Sequence, residues 1–371
     1  MTAYAPSNPS SLSRTDDPLH PHVYIEGDEL FDAMLAAISA ARHSVKLESY
    51  IFADDEIGRR FAVVLRERAR AGVQVLMQLD AAGSLFWSSR SLERSLKQCG
   101  VEVRWFHHWD WRQPWRYNQR NHRKILVVDG RVGFLGGFNI HRENSRGVFG
   151  EQRWRDTHIR VTGELARGLQ TLFDAFWRRR SRHYPFILTR NGDALLSNYS
   201  RRGRQFLRRL YGMKFATARR RIWLSTPYFV PDYRTQHGLM HAAERGVDVR
   251  VLVPRKNDVR IAQWAAHAAY EPLLHTGVKI YEYLPRMLHA KTVVIDGEWS
   301  TIGSANIDYR SFFVNYEISL VSVQVELATE LQAQFETDLL QSDQILAPRW
   351  ARRALLQRLL ELIGWAARRW L

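Results

Sequence analysis

Two copies of one short motif carry the side chains that are best suited to chemistry in this chain. Both copies have the pattern H-x-K-x4-D, in which histidine and lysine alternate along an extended segment and point to the same side. Chance would produce such an ordered pair about once in ten thousand sequences of this composition. We therefore predict that the two motifs form one catalytic set. Its members are His122, Lys124 and Asp129 in the first copy and His289, Lys291 and Asp296 in the second.

The residue types in this set suit the transfer of a phosphoryl group. A neutral imidazole can attack phosphorus, while a second, protonated imidazole can supply a proton to the leaving oxygen. The ammonium group beside each histidine can neutralise the charge that builds on the phosphoryl oxygens. The sequence shows no acidic cluster of the kind that holds magnesium. We therefore predict a reaction that needs no metal and no other cofactor.

The apolar residues that follow each lysine predict a buried strand and a hairpin. An Asp-Gly pair ends each motif and has the composition of a hairpin turn. Each return strand then ends in a small-residue turn with an amide, which places Asn139 and Asn306 as further donors to the phosphoryl oxygens. The seventh position after histidine falls on the opposite face of a regular strand. Asp129 and Asp296 are therefore expected to cap the hairpins rather than to touch the phosphate.

The elements that must position these side chains also occur twice and in the same order. In each copy a strand, a helix and a second strand precede the motif. Strands that alternate with helices predict an α/β fold with largely buried sheets. We therefore predict a tandem duplication of one α/β domain. The predicted strand, helix and strand cover residues 45–52, 59–71 and 73–79 in the first copy and 222–230, 236–245 and 247–253 in the second.

These motifs resemble those of the phospholipase D superfamily, whose mark is a duplicated H-x-K-x4-D followed by G-G/S-x-N. More closely, residues 22–345 resemble bacterial cardiolipin synthases of the short type (type B), which lack N-terminal membrane spans. The resemblance implies two tandem α/β domains that are related by pseudo-two-fold symmetry and share one active site. The matching segments are LESYIFADD at 47–55, residues 121–129, WRD at 154–156, TPYFVPD at 226–232 and GSANID at 303–308.

The resemblance also implies roles for individual residues in a two-step reaction. One histidine takes the phosphatidyl group as a phosphohistidine, and the other protonates the departing alcohol and then activates the incoming one. By this analogy His122 is the nucleophile and His289 the acid and base, although the symmetry of the duplication leaves their order open. The residues implied to hold the phosphoryl oxygens are Lys124, Lys291, Asn139 and Asn306, with Ser304 as a further candidate.

An acidic residue after each motif is implied to orient a catalytic imidazole through a hydrogen bond. Glu317, in the segment Asn-Tyr-Glu, fits this role in the second copy, and Asp156, in Trp-Arg-Asp, fits it in the first. The first copy has six more residues between its asparagine and its acid. A surface salt bridge is the alternative interpretation of either acid.

The composition narrows the set of possible partners. The chain has 371 residues, a hydrophobic content of 45% and a net charge of +16. Nucleic acid, an anionic membrane and an acidic small molecule all suit this charge, as does a solvated basic surface. The single Cys99 excludes an internal disulfide and favours a reducing compartment. No apolar run is long enough to span a membrane, and residues 1–20 show no apolar core of a secretion signal.

Changes in composition divide the chain into five predicted segments. Residues 1–20 are polar and are expected to form a flexible tail, and residues 21–180 and 222–345 are the two predicted domains. Residues 181–221 are rich in arginine and are expected to form a basic linker or docking surface between them. Residues 346–371 are expected to form a basic amphipathic helix.

Two segments favour a lipid over a nucleic acid as the substrate. Trp109, Trp111 and Trp115 alternate with arginines next to the first motif, where they could enter a layer of lipid headgroups. Near the C-terminus apolar residues form one helical stripe that arginines flank, as in a helix at an anionic interface. A packed aromatic loop and an ordinary packed helix are the alternatives. The stripe contains Leu355, Leu356, Leu359, Leu360, Ile363 and Trp370, and the flanking residues are Arg352, Arg353, Arg358, Arg368 and Arg369.

Together with the resemblance, these observations predict a peripheral enzyme on the cytoplasmic side of a bacterial membrane. The expected reaction transfers a phosphatidyl group between two phosphatidylglycerol molecules and yields cardiolipin and glycerol. Anionic membrane lipids are the expected partners, and no nucleic acid is expected. A phospholipase D-type hydrolase and a nuclease of the same superfamily are the alternatives, because fold and motif do not distinguish them. The preferred acceptor and the oligomeric state stay open.

Overall fold

The computed structural model describes residues 21–108, 110–113, 117–179 and 186–368. These residues form one sheet of seven strands, a second of nine strands and a small sheet of two. Residues 22–177 build the seven-stranded sheet and its helices and are called the first half below. Residues 186–345 build the nine-stranded sheet and are called the second half.

The first half alternates strands and helices before it ends in antiparallel strands. Its sheet has the strand order β1-β7-β6-β5-β2-β3-β4. The strands are β1 His22–Tyr24, β2 Ser44–Ser49, β3 Gln74–Asp80, β4 Glu102–Phe106, β5 Ile125–Val128, β6 Val132–Gly136 and β7 His158–Thr162. The helices are α1 Gly27–Ser39, α2 Glu56–Arg70, α3 Arg90–Gln98, α4 Arg146–Phe149 and α5 Gly163–Trp177.

The second half repeats this arrangement and adds strands at both edges. Its sheet has the strand order β18-β13-β12-β10-β14-β15-β17-β9-β8, and β11 pairs with β16 apart from it. The strands are β8 Phe186–Leu188, β9 Ala194–Ser197, β10 Arg221–Ser225, β11 Phe229–Val230, β12 Asp248–Pro254, β13 Lys279–Tyr283, β14 Thr292–Ile295, β15 Trp299–Gly303, β16 Ile307–Asp308, β17 Ile318–Ser322 and β18 Ser342–Ile345. The helices are α6 Arg201–Thr217, α7 Tyr233–Glu244, α8 Arg260–His275, α9 Tyr309–Phe313 and α10 Val325–Leu339.

The strand order confirms the predicted duplication and the tandem α/β fold. The series β4-β3-β2-β5-β6-β7 in the first sheet corresponds to β13-β12-β10-β14-β15-β17 in the second. In both, three parallel strands are followed by an antiparallel hairpin that contains the motif. Apolar residues of these strands and of the covering helices form one buried core in each half.

Local sequence signals explain where the repeated elements begin and end. The carboxylate of Asp55 accepts hydrogen bonds from two backbone amides at the start of α2, and that of Asp232 accepts one from the amide of Thr235 at the start of α7. Such caps satisfy amides that have no partner within the helix. The predicted strand at 222–230 is interrupted after Ser225, because Pro227 has no amide hydrogen for the ladder.

The two halves share a buried apolar interface. Residues of β5, β6 and β7 pack with residues of β14, β15 and β17 in one hydrophobic cluster. Two isolated parallel bridges also cross the interface, between Asn121 and Tyr316 and between Arg155 and Leu288. Because both bridges lie next to a motif histidine, the halves are joined where the predicted chemistry takes place.

The basic segment between the halves contributes to the second sheet in its described part. Strand β9 pairs with β17, and β8 pairs with β9 at the edge of the sheet. Leu195 and Leu196 of β9 are buried, and α6 follows. The charge of residues 181–221 predicted a linker or docking surface. The apolar residues of β9, however, belong to the nine-stranded sheet. Residues 181–185 lie outside the described part, and the division of the chain into five segments stays a prediction.

Two helices follow the second half, where the sequence predicted one. They are α11 Ala347–Ala351 and α12 Leu355–Ala367, separated by Arg352–Ala354. Helix α12 packs on α8, where a Cβ at Gly364 would lie 2.4 Å from the backbone of Ala265. In the described part of the chain no helix has the length and apolar character to cross a membrane. Trp370 and Arg369 of the predicted stripe lie outside the described residues.

Candidate active site

Both motif histidines lie in the extended segments that lead into the central hairpins. His122 precedes β5 by three residues, and His289 precedes β14 by three. The amide of His122 donates a hydrogen bond of 2.9 Å to the carbonyl of Tyr316, and the amide of His289 donates one of 2.6 Å to that of Arg155. Each histidine backbone is therefore held by the opposite half of the chain.

The two histidines line one cavity of about 310 Å³ between the halves. Both repeats contribute to its wall, so the structure brings the two motifs together as the symmetry of the duplication requires. The lining residues include Tyr50, Ile51, Arg120, His122, Asn139, Trp154, Tyr228, Val230, Asp258, Val259, Ala262, His289, Asn306, Asp308, Arg310 and Asn315.

His122 is paired with a buried glutamate from the second half. Its Nδ1 lies 3.0 and 3.1 Å from the two carboxylate oxygens of Glu317. Burial alone would raise the pKa of Glu317, but the charge and hydrogen bond of His122 bring it below its usual value. Burial lowers the pKa of His122, and the carboxylate opposes that shift. The pair therefore consists of an ionised acid and an imidazole that is neutral near pH 7.

His289 is paired in the same way with a buried aspartate from the first half. Its Nδ1 lies 2.5 Å from Oδ2 of Asp156 and 2.8 Å from Nζ of Lys291. Burial lowers the pKa of His289 to about 3, with a further contribution from Lys291. An ionised acid at Nδ1 favours the tautomer that carries the proton there, which leaves Nε2 as the basic nitrogen.

The acids thus cross between the halves. The sequence offered one acid after each motif, and the structure places each acid against the histidine of the other copy. Bridges such as Arg155–Leu288 carry the acid-bearing segments across the interface, which sequence spacing alone does not reveal. Both carboxylates are fully buried, so the alternative of a surface salt bridge is wrong.

The repeated small-residue turn has a different role in each copy. Ser304 is absent from the cavity wall, and its hydroxyl donates a hydrogen bond of 2.5 Å to Glu317. In the first copy the same position is Gly137, where a Cβ would lie 2.0 Å from Oδ1 of Asp156. The hydroxyl of Ser304 is therefore placed to orient the acid Glu317, and a role at the phosphate stays a prediction.

The two lysines lie behind the histidines. Nζ of Lys124 donates a hydrogen bond of 2.8 Å to the carbonyl of His122, and Nζ of Lys291 donates one to the carbonyl of His289. Burial lowers the pKa of Lys124 to about 7, and it also lowers that of Lys291. These groups place positive charge next to the histidines in a site of low polarity, where charge acts strongly.

The asparagines of the repeated turn line the cavity, as the prediction of phosphoryl donors requires. Oδ1 of Asn139 accepts a hydrogen bond of 3.2 Å from the amide of Ile51. Nδ2 of Asn306 lies 3.1 Å from Oδ2 of Asp308. Asn139 and Asn306 therefore occupy equivalent places on the two sides of the cavity.

The motif aspartates lie away from the cavity. Asp129 accepts hydrogen bonds of 2.7 to 2.8 Å from three consecutive amides at 42–44, and Asp296 accepts three of 2.7 to 2.9 Å from those at 219–221. Both have positive φ angles, 52° and 56°, at the hairpin turns. This corrects the prediction that Asp129 and Asp296 belong to the catalytic set. Strand alternation turns their side chains away from the histidines, and there they cap the hairpins as the alternation predicted.

A family model with the description "Cardiolipin synthase, PLD-like domain" matches residues 34–177 and 213–339. The chain is 37% identical to a cardiolipin synthase of Geobacillus kaustophilus, over 92% of this chain and 70% of that protein. It is 36% identical to one of Halalkalibacterium halodurans, over 96% of this chain and 72% of that protein. The chain belongs to the cardiolipin synthase family of phospholipase D-like proteins. This confirms the resemblance drawn from its motifs.

A solved structure supports the fold of this cardiolipin synthase family member. The phosphatidylserine synthase of Haemophilus influenzae superimposes with a TM-score of 0.74 over 95% of this chain and 96% of that one. The two sequences are 14% identical, so the likeness concerns the fold.

Several residues of the synthase cavity were not found from the sequence. The ring centroid of Tyr50 lies 5.0 Å from that of His122, and the ring of Tyr228 lies 6.3 Å from that of His289. Tyr50 lies two residues before Phe52, whereas Tyr228 lies one residue before the equivalent Phe229. The two tyrosines therefore occupy different positions of the repeat, and the duplication contained no signal for them. Trp154, whose ring lies 4.9 Å from His289, and Asp258 have no counterpart that would have marked them.

Proposed function

We propose that this chain transfers a phosphatidyl group between two phosphatidylglycerol molecules through a phosphohistidine and releases glycerol. One observation carries the proposal: two imidazoles face one cavity, and each has a buried carboxyl group at Nδ1. The family relationship favours this reaction over other phosphoryl transfers, because the similar proteins are cardiolipin synthases. Hydrolysis of the phosphohistidine by water is the competing outcome.

In the first step His122 attacks the phosphorus of the donor lipid. The bond to the glycerol oxygen breaks, and His289 donates the proton that lets glycerol leave. Burial and Lys291 keep His289 neutral in the cavity without substrate. An anionic phosphodiester between the histidines adds a negative charge beside the imidazole, which raises its pKa and favours the protonated form. Asp156 stabilises the resulting imidazolium.

In the second step a hydroxyl of the acceptor lipid attacks the phosphohistidine. His289, now neutral, accepts the hydroxyl proton, and the N–P bond to His122 breaks to give cardiolipin. Lys124 and Lys291, with Asn139 and Asn306, offset the charge on the phosphoryl oxygens. The choice of His122 as the nucleophile rests on the family resemblance, because the two imidazoles are similarly buried and paired.

We also propose that the protein binds the surface of an anionic membrane, on its cytoplasmic side. Five large apolar side chains of α12 are exposed on the face that does not contact α8: Leu355, Leu356, Leu359, Leu362 and Ile363. Four of these residues, all except Leu362, belong to the predicted stripe. Leu360, by contrast, is half-buried, and Arg353 is paired with Glu361 and Glu271 inside the structure. The cytoplasmic side is proposed because Cys99 is the single cysteine of the sequence, and a chain without an internal disulfide favours a reducing compartment.

A second exposed apolar group lies in the turn after β3, which ring contacts connect to the cavity. The turn after β3 exposes 91% of Phe86 and 58% of Leu85. The adjacent Trp87 contacts the ring of His141, which contacts Trp154 beside His289. Trp111 is also exposed, whereas Trp109 and Trp115 of the predicted aromatic loop lie outside the described residues. Exposed apolar groups that are connected to a lipid-binding cavity suit contact with the bilayer.

The function is tested with vesicles of phosphatidylglycerol, without added metal, and with separation of the lipid products. Cardiolipin and glycerol in equal amounts are expected from the wild-type protein and from His241→Ala, a control at an exposed histidine. His122→Ala and His289→Ala are expected to lose both products. Phosphatidic acid alone from the wild-type protein would make it a hydrolase, and no lipid turnover would contradict the proposal.

The order of the histidines is tested with a phosphatidyl ester of p-nitrophenol. This leaving group departs without a proton, so His289→Ala is expected to release one equivalent of nitrophenolate in a burst and to retain a phosphatidyl group on His122. His122→Ala is expected to give no burst. The reverse pattern would assign the nucleophile to His289.

A further inference from the structure

The two sides of the cavity differ in charge, although the halves are duplicates. Arg120 and Arg310 line it on the side of Tyr50, and we call them the arginine wall. Burial and Asp80 raise the pKa of Tyr50 to about 12, and the charges of Arg310 and Arg120 act against this shift. Arg120 and Arg310 are the two arginines among the described residues that line the cavity. No lysine is among those lining residues.

The protein holds both guanidinium groups in fixed positions. Nη1 and Nη2 of Arg310 donate hydrogen bonds of 2.9 and 2.7 Å to the side chain and the carbonyl of Asn118. Nη1 of Arg120 lies 3.3 Å from Oδ1 of Asp80, which is fully buried. A planar cation that is fixed in this way loses little entropy when it binds a phosphate.

The arginine wall has no equivalent in the other copy. Arg310 comes four residues after Asn306, and the residue four after Asn139 is Glu143. Arg120 comes two residues before His122, and the residue two before His289 is Met287. The arginines are therefore additional to the histidines and asparagines that both copies contribute to the cavity wall.

The opposite side of the cavity carries an acid. Asp258 lines it and accepts hydrogen bonds of 2.7 and 2.9 Å from the hydroxyl of Tyr228. A phosphate is therefore disfavoured beside Tyr228 and favoured beside Tyr50.

The proposed reaction needs a place for a second phosphate. A phosphatidylglycerol acceptor carries its own phosphodiester, which is three carbon atoms from the hydroxyl that attacks. This charge must enter a cavity that already holds the anionic phosphohistidine, and like charges at short distance repel strongly. Water, the competing acceptor, has no phosphate and gains nothing from a second cation.

We propose that Arg120 and Arg310 bind the unreacted phosphodiester of the acceptor lipid and so favour transfer over hydrolysis. The inference rests on the proposed function and adds a subsite for an anionic acceptor. The donor phosphate lies between the histidines, and the acceptor phosphate lies against the arginine wall while its glycerol hydroxyl points to the phosphohistidine. Cardiolipin forms when that hydroxyl attacks phosphorus, its proton passes to the acid/base histidine and the N–P bond breaks.

The test measures three products at once, from phosphatidylglycerol vesicles in buffer that contains ethanol. Cardiolipin reports transfer to an anionic lipid, phosphatidylethanol reports transfer to an uncharged alcohol and phosphatidic acid reports hydrolysis. In Arg310→Met the ratio of cardiolipin to phosphatidic acid is expected to fall at least about tenfold, the size of a lost charge-assisted contact. The ratio of phosphatidylethanol to phosphatidic acid is expected to keep its wild-type value.

Two further variants keep the test decisive. Arg190→Met removes one charge at a side chain that is 93% exposed, and it is expected to keep both ratios. Arg310→Lys keeps the positive charge, so its ratio of cardiolipin to phosphatidic acid is expected to fall less than that of Arg310→Met. This comparison remains informative even if Arg310→Met folds poorly. Equal falls of both ratios, or no change in either, would overturn the inference. A wild-type protein that forms no cardiolipin would instead contradict the proposed function.

Discussion

Asp156 and His289 come from different halves of the chain, yet Oδ2 of the aspartate lies 2.5 Å from Nδ1 of the histidine. Glu317 and His122 form the reciprocal pair, with Nδ1 3.0 Å from the nearer carboxylate oxygen. Neither half therefore contains both the histidine and the acid of a catalytic pair. The two copies form a single site because each copy supplies the acid that pairs with the histidine of the other copy.

Replacement of either acid by its amide is expected to reduce turnover at least about 100-fold with little change in KM, because an amide does not stabilise an imidazolium. The variants are Asp156→Asn and Glu317→Gln, and steady-state kinetics on phosphatidylglycerol vesicles measure the effect. Loss of the carboxylate charge also lowers the pKa of the paired imidazole. The limb of the pH–rate profile that reports this group is therefore expected to shift to lower pH.

Ser304→Ala is the graded control for Glu317. It removes one hydrogen bond from the carboxylate, so a loss of about three- to tenfold is expected from a bond worth about 1 kcal/mol. A loss as large as that of Glu317→Gln would show that the serine acts directly on the substrate.

Gly137→Ala is expected to disturb Asp156 and to lower the free energy of unfolding by about 1–3 kcal/mol, the usual effect of overpacking. The added Cβ would lie 2.0 Å from Oδ1 of this buried carboxylate. Chemical denaturation and turnover are both expected to show the defect. Gly212→Ala, within α6 and with open space around the added carbon, is expected to be neutral or stabilising by about 0.5–1 kcal/mol. Similar results for the two variants would contradict this account.

A charged cluster that joins the halves is expected to stabilise the fold above pH 4.5 and to lose its effect in acid. Glu26 of the first half accepts hydrogen bonds of 2.6 Å from both Arg153 and Arg286, the latter in the second half. Burial would raise the pKa of Glu26, but these bonds lower it to about 2. A lowered pKa means that protonation favours the unfolded chain, so the stabilisation disappears as the pH falls from about 4.5 toward 2.

Glu26→Gln tests this cluster by denaturation at several pH values. The variant is expected to be less stable than the wild type at pH 7, and the difference is expected to shrink as the pH approaches about 2. Glu326→Gln, at an exposed position of α10, serves as the control and is expected to behave like the wild type. A difference that stays constant with pH would show that the carboxylate charge is not responsible.

Exposed apolar residues of α12 are expected to anchor the protein on anionic vesicles. Each buried leucine side chain contributes about 1.5–3 kcal/mol, so Leu355→Ser combined with Leu359→Ser should weaken vesicle binding at least about tenfold. Phe86→Ser in the turn after β3 is expected to act in the same direction. Cosedimentation measures binding, and a substrate dispersed in detergent measures turnover separately.

Leu340→Ser is the control, because Leu340 is 88% exposed but lies at the end of α10. It is expected to leave vesicle binding unchanged. Equal losses of vesicle binding and of turnover in detergent would show that the α12 leucines serve the fold rather than the membrane.

The sequence by itself determined the duplicated fold, the family and most residues of the site. His122, His289 and their lysines were accessible because a strand has a fixed alternation, and a repeated spacing is therefore visible in one dimension. The same alternation correctly turned Asp129 and Asp296 away from the histidines. Tyr50 and Tyr228 were not accessible in this way, since they stand at different positions of the repeat.

Only the tertiary structure decided which groups meet across the halves. The pairing of Asp156 with His289, the use of Ser304 behind Glu317 and the one-sided position of Arg310 depend on contacts between segments distant in the chain. Local spacing contains no information on such contacts, because they follow from how two complete sheets pack together. The physical reason is that burial at this interface, rather than any local preference, sets both the geometry and the charge of the site.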